Sequence, residues 1–220
     1  MTPTWAKNII FLLVYMISGL VLVIIIEGLL TGTALTPLNT AIESFVSYLR
    51  RPFTTTLIVG ITKLGNASVL LSATALIAVL LIMRRRYYDA ALFVAAMILS
   101  VLSLSVLKNT FQIARPGAGM IETDGWSFPS GHATIATAFF FMLSYTFFRK
   151  LKSVVAKTFL ITGSVVATLL ICFSRLYLGA HWTLDVLAGI ALGFWATSFA
   201  ALIFGIFIEN RRSLRNKISS

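Results

Sequence analysis

Six long apolar runs dominate the chain, divided by shorter polar stretches. They extend over Ile9–Leu30, Ala67–Met83, Ala90–Leu107, Ala133–Phe148, Thr158–Ser174 and Leu184–Ile208. A helix crosses the hydrocarbon core of a bilayer with about 20 residues, in a range of roughly 17–25. The fourth run lies at the short limit. Backbone groups inside a bilayer must satisfy one another, so each run is predicted to be a transmembrane helix. The apolar stretch Ile9–Ile26 is longer than the roughly 7–15-residue core of a signal peptide, so an uncleaved span is expected there. Between the first two runs, Thr36–Thr62 is less apolar and contains Pro37, Asn39, Glu43, Arg50, Arg51 and Pro52. It reads as one or two amphipathic helices lying along the interface. The expected fold is therefore all-α: an integral membrane bundle of six transmembrane helices, with an interfacial helical segment between helices 1 and 2. The length of 220 residues suits one membrane-embedded domain.

Composition agrees with this pattern. The chain is 58% hydrophobic and 11% charged, with a mean hydropathy of +0.94, whereas soluble domains carry about 25% charged residues. The net charge of +11 does not indicate nucleic acid as a partner, because the basic residues cluster at the ends of apolar runs and not on one face. Lys7, Arg84–Arg86, Arg149, Lys150, Lys152, Lys157, Arg211, Arg212, Arg215 and Lys217 fall on one side if the spans alternate. Arg50, Arg51, Lys63, Lys108, Arg115 and Arg175 fall on the other. The imbalance predicts cytoplasmic N- and C-termini. The basic tail from Glu209 is expected in water or among headgroups. The single cysteine, Cys172, lies inside an apolar run and reads as a buried, inert thiol.

Three polar clusters break the apolar pattern, and the alternating topology brings all of them to the outer side. Lys108 closes the third run, with Arg115-Pro116 beyond it. Ser130-Gly131-His132 opens the fourth. Ser174-Arg175 closes the fifth, and His181 and Asp185 open the sixth. Taken singly, each group has a plainer reading: the cations as headgroup anchors, Ser130 as an N-cap, His181 and Asp185 as an ordinary i,i+4 pair. A serine nucleophile with a histidine base is a further alternative, which three neighbouring cations fit poorly. Together, Lys108, Arg115 and Arg175 beside a low-dielectric wall suit a polyanion, and arginine forks match phosphate oxygens. Ser130 and Gly131 stand at a predicted helix start, where backbone N–H groups favour an anion. His181 and Asp185, four apart on one helix face, suggest an imidazole whose tautomer is set by a carboxylate and whose other nitrogen is a nucleophile. His132 can then serve as general acid. No metal or other cofactor is expected, since two histidines and few acids make a poor metal site.

These positions carry a resemblance. Lys108 to Pro116 reads K-x6-R-P, Pro129 to His132 reads P-S-G-H, and Ser174 to Asp185 reads S-R-x5-H-x3-D. Twelve residues separate the first two motifs, and 41 lie between His132 and Ser174. In order and spacing the set resembles the three-part signature of the type 2 phosphatidic acid phosphatase superfamily, which includes lipid phosphatases, sugar-phosphate phosphatases and vanadium haloperoxidases. The signature occupies 108–185, about a third of the chain, with no departure at a motif position. The resemblance implies a metal-independent phosphatase with six helices. His181 would form a phosphohistidine and Asp185 would orient it. His132 would protonate the leaving group and then activate water. Lys108, Arg115, Ser130, Gly131 and Arg175 would bind phosphoryl oxygens. The membrane character argues against the soluble haloperoxidases. It points to a lipid phosphate substrate such as undecaprenyl diphosphate, phosphatidylglycerophosphate or phosphatidic acid. A bacterial inner membrane is the expected setting, with the site on the periplasmic or extracellular face. The alternative is a lipid A or glycolipid phosphatase or phosphotransferase using the same site.

Overall fold

The computed structural model describes residues 4–32, 36–117, 119–121 and 124–218. The described residues form eight helices and no strand. In chain order they are α1 (Thr4–Leu30), α2 (Thr36–Tyr48), α3 (Pro52–Leu64), α4 (Ala67–Met83), α5 (Tyr87–Phe111), α6 (Gly131–Phe148), α7 (Val154–Tyr177) and α8 (Thr183–Ile218). Among the described residues, α1, α5, α6, α7 and α8 are each long and apolar enough to cross a membrane. The pair α3 and α4 passes the same test as one span bent by 45°.

The region 36–62 does form two helices, as expected, and the second, α3, meets α4 at that bend, the two together reaching the length of a span. Lys63, Gly65 and Asn66, preceded by Thr54–Thr56 and Thr62, interrupt the apolar pattern and hide the continuity. α2 and α3 are fastened to the end of α7 by Tyr177. Its hydroxyl lies 2.8 and 3.0 Å from the hydroxyls of Thr54 and Thr55, and its carbonyl accepts from Arg50 Nε at 3.0 Å. Arg50, one of the cations on the sparser side, thus has a structural partner. Lys63 lies in the last turn of α3, where the helix dipole favours a cation.

α6 and α8 run parallel through the centre, and their contact relies on missing side chains. A Cβ on Gly189 would fall 2.7 Å from the Ser130 carbonyl oxygen and 2.8 Å from Ala133 Cβ. One on Gly193 would fall 2.7 Å from Thr137 Cβ and 2.8 Å from the Thr134 carbonyl oxygen. Small residues four apart let transmembrane helices approach closely enough for dispersion contacts to hold them, where no hydrophobic drive exists in lipid. Phe93 and Met97 of α5, Ala136 and Met142 of α6, and Leu192 of α8 complete the buried centre. On the lipid-facing flank, Tyr15 of α1 stacks on Trp195 of α8 with ring centroids 5.3 Å apart.

The packing gathers the C-terminal ends of α5 and α7 and the N-terminal ends of α6 and α8 at one end of the bundle. Backbone bonds join the segments there: Ser127 N to the Ile113 carbonyl at 2.8 Å, Ser130 N to the Asp185 carbonyl at 2.9 Å, and Met120 N to the Leu178 carbonyl at 2.8 Å. The turn Arg84–Arg86 and the α6–α7 connection lie at the other end. There Arg86 pairs with Asp89 at 2.7 Å and donates to the Thr146 carbonyl at 3.0 Å.

Candidate active site

His181 sits between α7 and α8, two residues before α8 begins, in a buried position. The expectation that His181 and Asp185 share a helix face is therefore replaced by another geometry. Asp185 lies in the first turn of α8 and folds back. Its Oδ2 accepts from the Trp182 backbone N–H at 2.9 Å, as the acid of a capping box does. The same oxygen lies 3.4 Å from His181 Nδ1 and accepts the Ser127 hydroxyl proton at 2.5 Å. Ser127 Oγ is also 3.3 Å from Nδ1. The opposite nitrogen, Nε2, accepts from the Arg115 guanidinium at 3.2 Å. These partners define one tautomer: the proton on Nδ1 toward Ser127 and Asp185, the lone pair on Nε2 toward Arg115. Burial, opposed by Asp185 and reinforced by Arg115 and Arg175, pushes the His181 pKa down to about 4, so the ring is neutral at physiological pH.

Arg115 is held by three backbone carbonyls, those of Gly125, Ala180 and Asp124, at 2.9, 2.8 and 2.8 Å. Burial lowers its pKa, while the nearby Asp185 and Asp124 oppose that shift. Lys108 donates from the last turn of α5 to the Trp126 carbonyl. Both cations thereby pin the connection that carries Ser127. Lys108 lies within electrostatic reach of Arg115, Arg175 and Asp185, and Arg115 within reach of Arg175 and Asp185. Arg175 is 3% exposed. One of its terminal nitrogens donates to Thr62 Oγ1 at 2.7 Å, while its Nε has no hydrogen-bond partner among the described residues.

Ser130 is the N-cap of α6. Its hydroxyl accepts from Ala133 N at 3.4 Å, and its own N–H is taken by the Asp185 carbonyl. The peptide preceding Pro129 is cis. Gly131 and His132 occupy the first helical positions, where backbone N–H groups have no intrahelical acceptor. The His132 ring reaches toward the bend between α3 and α4, with Nε2 2.8 Å from Asn66 Oδ1. It remains within electrostatic reach of Arg175, His181 and Arg115.

All eight residues singled out in the sequence thus gather at one end of the bundle. Three further participants were not singled out. Ser127 is the first residue of the polar stretch before α6, a position that its neighbours overshadow. Asn66 is marked only as a polar break in an apolar region. Thr62 carries no signal in the sequence. Among the described residues, no three His, Cys, Asp or Glu side chains group as a metal would require.

An all-helical bundle of membrane-length helices, holding a neutral, carboxylate-tethered imidazole among three cations at one end, defines a class of membrane phosphatases. The chain belongs to the PAP2 superfamily, whose family model matches residues 89–209. It is 30% identical over 177 residues to phosphatidylglycerophosphatase B of Bacillus subtilis, covering 77% of this chain and 85% of that one. It is 33% identical over 155 residues to an undecaprenyl-diphosphatase of Sulfolobus acidocaldarius, covering 67% and 69%. The crystal structure of the transmembrane PAP2-type phosphatidylglycerolphosphate phosphatase from Bacillus subtilis superimposes with a TM-score of 0.72 at 26% identity, over 93% of this chain and 96% of that one. With this family, fold and set of relatives, the protein is a membrane lipid phosphatase of the PAP2 type.

Proposed function

We propose that the protein hydrolyses a phosphomonoester or diphosphate of a membrane lipid through a phosphohistidine on His181, without a metal. The carrying observation is the polarisation of that imidazole, with Nδ1 tethered by Ser127 and Asp185 and the Nε2 lone pair directed at a guanidinium. A phosphoryl group that takes over the Arg115 contact arrives beside that lone pair. Nε2 forms a bond to phosphorus as the bond to the leaving oxygen breaks. The electron pair departs with that oxygen, which takes a proton from His132. In the second half a water gives a proton to His132 while its oxygen attacks phosphorus. The N–P bond breaks, and its electron pair returns to Nε2. Lys108, Arg115, Arg175 and the α6 start at Ser130 and Gly131 hold the phosphoryl oxygens. Charge stabilisation of this kind is a large share of phosphoryl-transfer catalysis.

Two features support a lipid as substrate. The relatives named above act on phosphatidylglycerophosphate or undecaprenyl diphosphate. An apolar groove of about 670 Å³ between α1, α5 and α8 is lined in part by Leu102, Val106 and Leu107 of α5, the helix whose last turn carries Lys108. An acyl or prenyl chain in that groove would lie along the helix that leads to the site. The distribution of basic residues supports cytoplasmic termini, with the site on the outer face of a bacterial plasma membrane.

The test is phosphate release by detergent-solubilised protein from phosphatidylglycerophosphate, undecaprenyl diphosphate and phosphatidic acid under one set of conditions. Release from at least one is expected to fall by about 10³-fold or more in His181→Ala, and to persist in a chelator. Equal release by the variant would refute the phosphohistidine. Loss in chelator, restored by a divalent metal, would refute the metal-free reaction.

A further inference from the structure

The bend between α3 and α4 places an asparagine against the second histidine. Asn66 is the N-cap residue of α4, a position at which Asn ordinarily caps through its side chain. Its side chain makes no such cap. Oδ1 instead meets His132 Nε2 at 2.8 Å, across 66 residues of sequence. The backbone at the bend is held on both sides: Asn66 N donates to the Lys63 carbonyl at 3.2 Å, and the Asn66 carbonyl accepts from Leu70 N at 3.1 Å. Gly65 permits the approach, since a Cβ there would fall 2.6 Å from Ile171 Cγ2 and 3.3 Å from His132 Cδ2. Thr62, one turn earlier, holds Arg175. The bend thus faces two of the residues proposed for catalysis and phosphate binding.

We propose that Asn66 is a positioning residue for the general acid, accepting the Nε2 proton of His132 and leaving Nδ1 as the nitrogen that exchanges a proton with the leaving group. The proposal rests on the acid role of His132 given above. An amide oxygen suits this work. It holds the ring orientation and tautomer together with the Thr62 backbone, which also hydrogen-bonds His132, and it adds no negative charge to a site that must receive a phosphate.

The test separates leaving groups. General acid catalysis contributes about 10²–10⁴-fold where the leaving oxygen needs a proton, and little where it does not. Purified wild type, Asn66→Ala, Asn66→Asp, His132→Ala and the Asn66→Ala/His132→Ala double variant are assayed on dodecyl phosphate and on p-nitrophenyl phosphate. In kcat/KM, which reports the steps through phosphohistidine formation and not the His132-assisted hydrolysis that follows, Asn66→Ala is expected to lose about tenfold or more on dodecyl phosphate and to keep its value on p-nitrophenyl phosphate. Asn66→Asp, which retains an acceptor oxygen but brings a negative charge, is expected to move the ratio between the two substrates back toward that of the wild type. The double variant is expected to be no slower than His132→Ala. The aryl substrate controls for folding in every variant. An Asn66→Ala rate unchanged on both substrates, or reduced equally on both, overturns the positioning role, as does an additive double variant. If His132→Ala itself fails to discriminate between the substrates, the acid role falls and this proposal falls with it, a result distinguishable from failure of Asn66 alone.

Discussion

His181 shows how one residue acquires a function from its surroundings. A free imidazole is half protonated near pH 6.5. Here burial is the main cause of a pKa of about 4, and Arg115 adds to it. Between these two values the unfolded chain binds a proton that the folded chain does not. His181 therefore contributes stability that is present above about pH 6.5 and is lost as the pH falls toward 4. The same shift keeps the lone pair available in mildly acidic solution. The acid limb of kcat/KM on p-nitrophenyl phosphate, corrected for substrate ionisation, is expected well below 6.5. In Arg115→Gln a neighbouring positive charge is gone, so that limb is expected to move toward neutrality while kcat/KM falls. A pH profile of both proteins checks this, and an unmoved limb would show that Arg115 does not set the His181 ionisation. Ser127 acts at the same scale. Its hydroxyl bridges Asp185 and Nδ1, and it was concealed in the sequence because a serine next to Phe128-Pro129 has many uses.

Among the elements, the close contact of α6 with α8 aligns the two helix starts that carry His132 and Asp185. Gly189 abuts the carbonyl of Ser130, two residues from His132, so any side chain there presses on backbone at the candidate site. Gly189→Ala is expected to cost about 1–3 kcal/mol, the usual range for overpacking, and to lower the unfolding temperature in detergent together with phosphatase activity. Gly163→Ala in α7, where a Cβ meets nothing within 4 Å, is the control and is expected to leave both intact. The helices themselves were largely legible, because a bilayer admits few alternatives to an apolar helix. Their ends were less so: α5 extends past Leu107 to Phe111, and α8 continues beyond Ile208 through the basic tail to Ile218. Polar residues do not stop a helix whose backbone bonds are already made. The bend at Gly65–Asn66 was legible only as an interruption, since the two halves of that span differ in polarity.

For the whole molecule, the arrangement has two unlike ends. Lys108, Arg115, Arg175 and both histidines gather at one, and Arg84–Arg86, Arg149, Lys150 and Lys152 lie at the other. The positive-inside bias predicts that the histidine end faces away from the cytoplasm. Cys172 is buried, so added thiols can report the topology. Trp126 is 41% exposed beside the candidate site. In intact cells, Trp126→Cys is expected to react with a membrane-impermeant maleimide, and Lys152→Cys only after lysis. The reverse pattern would invert the orientation.

The sequence by itself determined the medium and pointed to the kind of ligand. Apolar runs of membrane length require helices, and two histidines with one acid and three cations at span ends suit an anion such as phosphate. It could not determine who touches whom. That His181 precedes its helix instead of sharing a face with Asp185, that Ser127 bridges the pair, and that Asn66 and Thr62 reach His132 and Arg175 from a bent helix, follow from packing. Periodicity records which side of a helix is apolar, whereas contacts across dozens of residues depend on how closely the helices approach and where one of them bends.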